Sequence, residues 1–292
     1  MSRYLCIDMG GTTIKYGIVD EHLAITDTGT IHTEINDYQV LLDDLMQIIE
    51  PHAKSCSGIS FSIPGAIEAD AGKIMAAGAI GCLYYQPLKA DLTARFGLPV
   101  ALENDGNCAA LAEFHSGVAK GTDNMAMIVL GTGIGGAVIA NGRLLKTKHH
   151  FSAEFGYLIM DYQDPKAWDE LDGPVVRIIR RIKRADERFE LLDGSEIFDL
   201  YRKDPVVTEH LGLFFRMLAI GCYNIQAVLD ADMIVIGGGI SSREDFVGNV
   251  NDAMEELAVS PRLHNMPDIR VARYANHANL IGAYHHLAGK CV

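Results

Sequence analysis

Two rhythms of apolar and polar residues alternate along this chain. Residues 4–8 (YLCID) form a short apolar run ending in Asp, the turn-like MGGTT follows, and residues 14–20 (IKYGIVD) alternate as a strand does. Strand, glycine turn, strand predicts a hairpin. Residues 38–53 place apolar side chains at helical spacing and stop near Pro51; residues 56–67 predict a third strand running into a Pro64–Gly65 turn. A helix closed by Gly97 is expected over 87–97, and a strand over 98–105 that ends in Glu103-Asn104-Asp105. A second helix is expected over 106–117.

The same cycle then begins again. Residues 124–145 (NMAMIVLGTGIGGAVIANGRLL) read as strand, glycine turn, strand, and Asn141-Gly142 supplies a hairpin turn. Residues 174–229 are mostly helical in pattern. A strand into a glycine turn (232–241), a helix (243–258), a strand (268–274) and a closing helix (278–289) complete the chain. Each half opens with a hairpin whose turn is glycine-rich, an echo of structure without a repeat of sequence.

Gly131, Gly133 and Gly136 match the spacing of the dinucleotide fingerprint. That fingerprint requires a helix after the glycines, with the pyrophosphate at its N-terminus. Here the following residues are β-branched and apolar, so a strand is predicted and the dinucleotide reading fails. No glycine-rich stretch ends in Gly-Lys-Ser/Thr, so no Walker A loop is present either.

Composition narrows the class. With 292 residues the chain is long enough for about two domains. Its net charge of −13 argues against a nucleic-acid or anionic-membrane surface, both of which need basic footprints. Six cysteines (Cys6, Cys56, Cys82, Cys108, Cys222, Cys291) form no Cys-x-x-Cys pair, and most sit in apolar runs, as buried free thiols do. Neither a secretory signal nor a membrane span is expected, which points to a reduced, cytoplasmic protein.

Three glycine turns follow apolar strands: 8–15 (DMGGTTIK), 131–136 (GTGIGG) and 237–241 (GGGIS). Turns of this kind let backbone N–H groups approach an anion, and Thr12, Thr13 and Thr132 add donors. Lys15 adds a point charge, and Asp8 suits Mg²⁺ held through water. The other constellation is LENDGN (102–107). Asp105 stands where a strand gives way to a helix, a place for a base acting on a substrate hydroxyl; equally, Asn104 or Asp105 caps the helix. The residues alone leave both readings open.

Four motifs in order, CIDMGGTTIKYGIVD, ENDGNCAALAEFHSG, LGTGIGGAVIANGRL and IVIGGGIS, resemble the ROK family of sugar kinases over essentially the whole chain. The resemblance implies an α/β protein with two domains of the actin-like ATPase (ribonuclease H-like) fold and a cleft between them. The domains would be 1–117 plus 275–292, and 118–274. It implies ATP and Mg²⁺, with Asp8, Gly10, Gly11, Thr12 and Lys15 on the phosphates, and Gly131, Thr132, Gly133, Gly135 and Gly136 as a second phosphate loop. Gly237, Gly238 and Gly239 would lie near the adenosine. Asp105 matches the catalytic base, usually acting on the C6 hydroxyl, while Asn104, Glu154 and Gly65 match the sugar side. A homodimer is also implied.

Departures from the family pattern matter as much. Residues 152–171 (SAEFGYLIMDYQDPKAWDEL) carry Tyr157 where many members have a histidine sugar ligand, and no cysteine lies between Cys108 and Cys222 to build a thiolate zinc site. His149 and His150 read as loop residues. Residues 77–88 (AGAIGCLYYQPL) lack the asparagine of the glucokinase-like branch. Both features resemble the zinc-lacking branch that includes β-glucoside kinases, and Tyr84, Tyr85 and Trp168 serve either as core or surface packing, the favoured reading, or as an aromatic wall for a sugar. The expected function is phosphorylation of a hexose or hexoside such as glucose or a β-glucoside. The alternatives are an N-acetylhexosamine kinase, such as one for N-acetylmannosamine, and a non-catalytic sugar-sensing regulator.

Overall fold

A computed structural model describes residues 2–76, 78–161, 163–257 and 266–289. The first sheet begins with β1 (Arg3–Met9), β2 (Thr13–Asp20) and β3 (Ile25–His32), each antiparallel to the one before. Helix α1 (Tyr38–Ile49) starts at Asp37, whose carboxylate accepts the N–H groups of Gln39 and Val40, and buries Leu41, Leu42, Leu45, Ile48 and Ile49. Strand β4 (Gly58–Ile63), buried at every position, lies parallel to β1. A small hairpin of β5 (Ala66–Glu68) and β6 (Lys73–Ala76) follows, then α2 (Leu88–Phe96), which ends at Gly97 in the left-handed conformation. Strand β7 (Val100–Asn104) closes the sheet beside β4, in the order β3-β2-β1-β4-β7, and runs straight into α3 (Asp105–Ser116).

The second sheet repeats that plan. Strands β8 (Met125–Leu130), β9 (Ile134–Ala140) and β10 (Arg143–Leu144) are antiparallel in sequence. Asn141 (φ 52°) and Gly142 (φ 71°) make the tight turn between β9 and β10. Helices α4 (Val175–Ala185), α5 (Gly194–Asp199) and α6 (Pro205–Leu229) lead to β11 (Met233–Gly237), parallel to β8. Helix α7 (Phe246–Leu257) then delivers β12 (Asp268–Val271), giving β10-β9-β8-β11-β12. The closing helix is α8 (Ala278–Ala288).

The chain divides into two compact units. Unit 1 is Met1–Gly117, Lys146–Phe151 and Asn276–Val292; unit 2 is Val118–Leu145 and Ser152–Ala275. In unit 1, α8 packs on α3 and on β1 and β4, and Gly282 lies so close to the Cys108 carbonyl that any side chain there would collide with it. In unit 2, α6 turns Leu211, Phe214, Phe215, Leu218, Cys222 and Ile225 into the core. That burial explains why a helix long and apolar enough to cross a membrane occurs here, since each fully buried Phe or Leu is worth about 1.5–3 kcal/mol.

Sequence periodicity misses β3, whose eight residues are mostly exposed, and the short hairpin β5–β6. Trp168 is no aromatic wall: it is 1% exposed, in the core of unit 2, where its ring fills the space beside Gly173 and Gly221. Tyr84 and Tyr85 are exposed and meet edge to face at 4.2 Å. His149 and His150 lie in a loop. Cys6, Cys56, Cys82, Cys108 and Cys222 are free thiols; Cys291 and residue 258 lie outside the described residues.

Candidate active site

Unit 1 gathers one set of predicted residues. Asp8 sits directly across the hairpin from Lys15, and its Oδ1 accepts bonds from Ser62 Oγ (3.1 Å) and Asn279 Nδ2 (2.9 Å). Neither of these bonds uses Oδ2. Burial pushes the Asp8 carboxyl up from its ordinary value, against the pull of Asn279, Ser62 and Lys15. A second positive charge arriving at Asp8 would be welcome there, so the residue suits a water-bound Mg²⁺. In the β1–β2 turn, Gly10 N–H donates to the Thr13 carbonyl (2.9 Å), while Thr33 Oγ donates to the Gly10 carbonyl (2.7 Å). Thr12, Thr13 and Lys15 are left exposed on this braced turn. Gly11 lies against Ala79, with a Cβ there only 2.6 Å from Ala79 Cβ.

At the end of β7 the capping question resolves in favour of Asn104. Its Oδ1 accepts the Asn107 N–H (3.0 Å), while its Nδ2 donates to the Gly65 carbonyl (2.9 Å) and to Asp105 Oδ1 (3.0 Å). The cap is therefore Asn104, and Asp105, half-buried at the first helical position, has Oδ1 fixed by Asn104 and by the Gly106 N–H (2.9 Å). Gly65 (φ 108°) faces the Ala76 carbonyl, where any side chain would collide; only glycine fits this turn.

Beneath Asp105 lies a network that sequence reasoning missed. Glu103 is fully buried. Its Oε1 accepts from the Asn104 N–H (2.9 Å) and Asn107 Nδ2 (2.9 Å), and its Oε2 faces Lys146 Nζ (2.7 Å) and His286 Nδ1 (3.4 Å). Burial pushes the Glu103 carboxyl up, but His286, Lys146 and Asn107 outweigh it and hold it below the usual value. A charged residue closing an apolar strand was the available signal. Nothing in the sequence announced that 146–151 folds with unit 1.

Unit 2 gathers the rest. Gly131 N–H donates to the Gly133 carbonyl (2.9 Å), which closes the β8–β9 turn and leaves Thr132 exposed at its tip. Asp169, also unforeseen, accepts the Ile134 N–H at 2.7 Å and leaves Gly133 no room for a larger residue without a shift. Gly136 lies against Ala153 and Phe155, so β9 carries the segment that presents Glu154. Burial, then the nearby Asp169, raises the Glu154 carboxyl. Gly135 has open space, with the nearest atom 3.9 Å from a Cβ position. Gly237 ends β11, and Gly238 (φ 109°) leads to Gly239 at the start of a short 3-10 turn; a side chain on Gly238 would strike the Leu130 carbonyl. Tyr157 is exposed. No group of three His, Cys, Asp or Glu side chains that could hold a metal occurs among the described residues.

Two sheets of one strand order, each headed by a glycine-turn hairpin, are the frame of an ATP-dependent sugar kinase with the actin-like ATPase fold. Comparison with known proteins makes the assignment specific. The ROK family model matches residues 4–289, and the chain belongs to the ROK family. A beta-glucoside kinase of Klebsiella pneumoniae is 31% identical over 290 residues, 97% of this chain and 95% of that one. A beta-glucoside kinase of Listeria monocytogenes is 32% identical, with 97% of each chain covered. The crystal structure of a ROK family protein from Streptococcus pneumoniae in complex with sucrose superposes with a TM-score of 0.88 at 31% identity, covering 99% of this chain and 98% of that one.

Proposed function

We propose that this kinase transfers the γ-phosphoryl group of ATP to the C6 hydroxyl of a gluco-configured hexose or hexoside, with Asp105 as the base. The observation that carries this reading is the Asn104–Asp105 junction: a half-buried carboxylate held by its own helix and by the cap residue. Asp105 accepts the hydroxyl proton as the sugar oxygen attacks phosphorus, a role worth on the order of 10²–10⁴-fold in rate. Little further covalent help is needed, because phosphoryl transfer is governed by positioning and charge. Asn104, Gly65 and Glu154 serve the sugar. Gly10, Gly11, Thr12 and Lys15 serve the phosphates, as do Gly131, Thr132, Gly133, Gly135 and Gly136, and Gly237–Gly239 the adenosine. Mg²⁺, when bound through water at Asp8, neutralises phosphate charge.

Acceptance of a C1 substituent is supported by two things. Tyr157 replaces the histidine that many family members place at the C1 and C2 end, and the beta-glucoside kinases and the sucrose complex among its relatives involve sugars substituted at C1. Buried thiols support a reducing, cytoplasmic setting, the cysteine gap between Cys108 and Cys222 supports catalysis without zinc, and the family habit supports a homodimer.

The test is ADP release with Mg-ATP across glucose, cellobiose, gentiobiose, sucrose, N-acetylglucosamine and N-acetylmannosamine. Higher kcat/KM for a C1-substituted glucoside than for glucose is the expected result. Preference for an N-acetylhexosamine overturns the acceptor assignment, and silence with every sugar overturns the kinase reading.

A further inference from the structure

Strand β7 buries Val100, Ala101 and Leu102 in turn, and then, at the same depth, a carboxylate: Glu103. An ion pair so deep is weak evidence of stability, because desolvation offsets the attraction and an apolar pair of similar size often does as well. The destinations of the two Glu103 oxygens give the carboxylate a different task.

Oε1 is committed to the start of α3. It accepts both the Asn104 N–H and Asn107 Nδ2, at 2.9 Å each. The Asn107 N–H donates to Asn104 Oδ1 (3.0 Å), and Asn104 Nδ2 donates to Asp105 Oδ1 (3.0 Å). Each bond fixes the group that makes the next, so the aim of Asp105 traces back to Glu103. Bonds linked in this way reinforce one another where the local dielectric is low.

Oε2 is held from outside the junction. Lys146 Nζ lies 2.7 Å away and His286 Nδ1 3.4 Å. Lys146 opens the short segment 146–151 that folds with unit 1. It stays positive whichever tautomer or protonation state His286 takes. A short bond between two charges is strong and directional, and it stops the Glu103 carboxylate from turning. Lys146 is one-third exposed, so it gives up water and side-chain freedom to make that bond.

We infer that Lys146 is a positioning residue for phosphoryl transfer: through Glu103 and Asn104 it holds the Asp105 carboxylate in the direction that takes the sugar hydroxyl proton. That role presupposes Asp105 as the base. Lys146 itself exchanges no proton and contacts no substrate in this role.

Steady-state kinetics of the full chain, with Mg-ATP and the best sugar of the panel, test the role in five variants: Lys146→Met, Lys146→Arg, Glu103→Gln, Glu103→Gln with Lys146→Met, and Asp105→Asn. Lys146→Met should lower kcat by about ten- to hundredfold, the scale of a small misplacement of a reacting group, with KM for ATP and sugar within about threefold. Lys146→Arg keeps the charge and should recover most of the loss. In the Glu103→Gln background no carboxylate remains to be held, and adding Lys146→Met should change kcat by less than about twofold. Melting temperatures measured alongside separate misplacement from unfolding. If Lys146→Met alone does not fold, Glu103→Gln and the paired variant decide, since neither leaves an unpaired buried carboxylate.

Unchanged kcat in Lys146→Met, with Asp105→Asn inactive, overturns the inference and leaves the base reading intact. An equal loss with and without the Glu103 carboxylate also overturns it, because Lys146 would then act by another route. A raised sugar KM at unchanged kcat overturns it too, as that is the signature of substrate binding. Near-normal turnover in Asp105→Asn ends the base reading and the inference together.

Discussion

The two sheets share a strand order and a glycine-turn hairpin, yet their strand ends carry different chemistry. β1 ends Ile-Asp-Met and β8 ends Ile-Val-Leu, so the first hairpin carries a carboxylate in its own strand, whereas the second turn meets one, Asp169, only from a distant segment. β7 ends in buried Glu103, capping Asn104 and the Asp105 that starts a helix; β12 ends in Val271 with an exposed Arg270 before it. After the inner parallel strand, both sheets need glycine at nearly the same backbone angle, Gly65 at 108° and Gly238 at 109°. The shared features are those a turn geometry demands, and the differing ones can hold a metal or move a proton. One frame occurs twice, and the proposed base, Asp105, lies in the first copy.

The largest effect expected from breaking this asymmetry is at Asp105. Asp105→Asn should cut kcat by about 10²–10⁴-fold with little change in melting temperature, since an amide oxygen still accepts the Gly106 N–H. Steady-state kinetics with Mg-ATP and a glucoside measure it. Near-normal turnover would remove the acid–base distinction between the sheets.

Glu103→Leu comes next. It leaves His286 and Lys146 facing an apolar side chain and frees Asn107 and the Asn104 N–H, and removing one side of a buried ion pair costs about 3–5 kcal/mol. Lys146 is one-third exposed and can turn to water, which brings the expected loss down to about 2–4 kcal/mol by urea unfolding. An equivalent substitution at exposed Arg270 should fall within about 0.5 kcal/mol of wild type.

The smallest effect concerns α3 and α8. His285 bonds Ser116 Oγ at 2.9 Å and packs beside His115; burial, then His115, lowers its pKa to about 4. Unfolding restores an ordinary value near 6.5, so the unfolded chain binds more protons between about pH 6.5 and pH 4. The contribution is full above pH 6.5 and is lost as pH falls through that window. His285→Gln should flatten the dependence of melting temperature on pH there, and an unchanged slope would show that His285 takes no part.

Much of this was legible in sequence because the deciding signals are local. Glycine turns after apolar strands, and a carboxylate at the β7–α3 junction, fall within windows of a few residues. What escaped recognition depends on long-range closure. Asp169 meets Ile134 across 35 residues, Asn279 meets Asp8 across 271, and Lys146 reaches Glu103 from a segment that folds with unit 1. β3 escaped because its mostly exposed residues give no periodic signal, while Trp168 is buried as the favoured packing reading has it, although an aromatic in a polar stretch carries no mark of its burial.

The central claim is that the two matching glycine turns serve different substrates, Gly65 the sugar and Gly238 the adenosine. Calorimetric titration of Gly65→Ala and Gly238→Ala with a glucoside and with a non-hydrolysable ATP analogue tests it most directly. Both variants put a side chain where φ is near +108° and should lose stability by about 1–3 kcal/mol. The account predicts that Gly65→Ala loses sugar affinity and keeps nucleotide affinity, and that Gly238→Ala does the reverse. Loss of nucleotide binding in Gly65→Ala, with sugar binding intact, would contradict it.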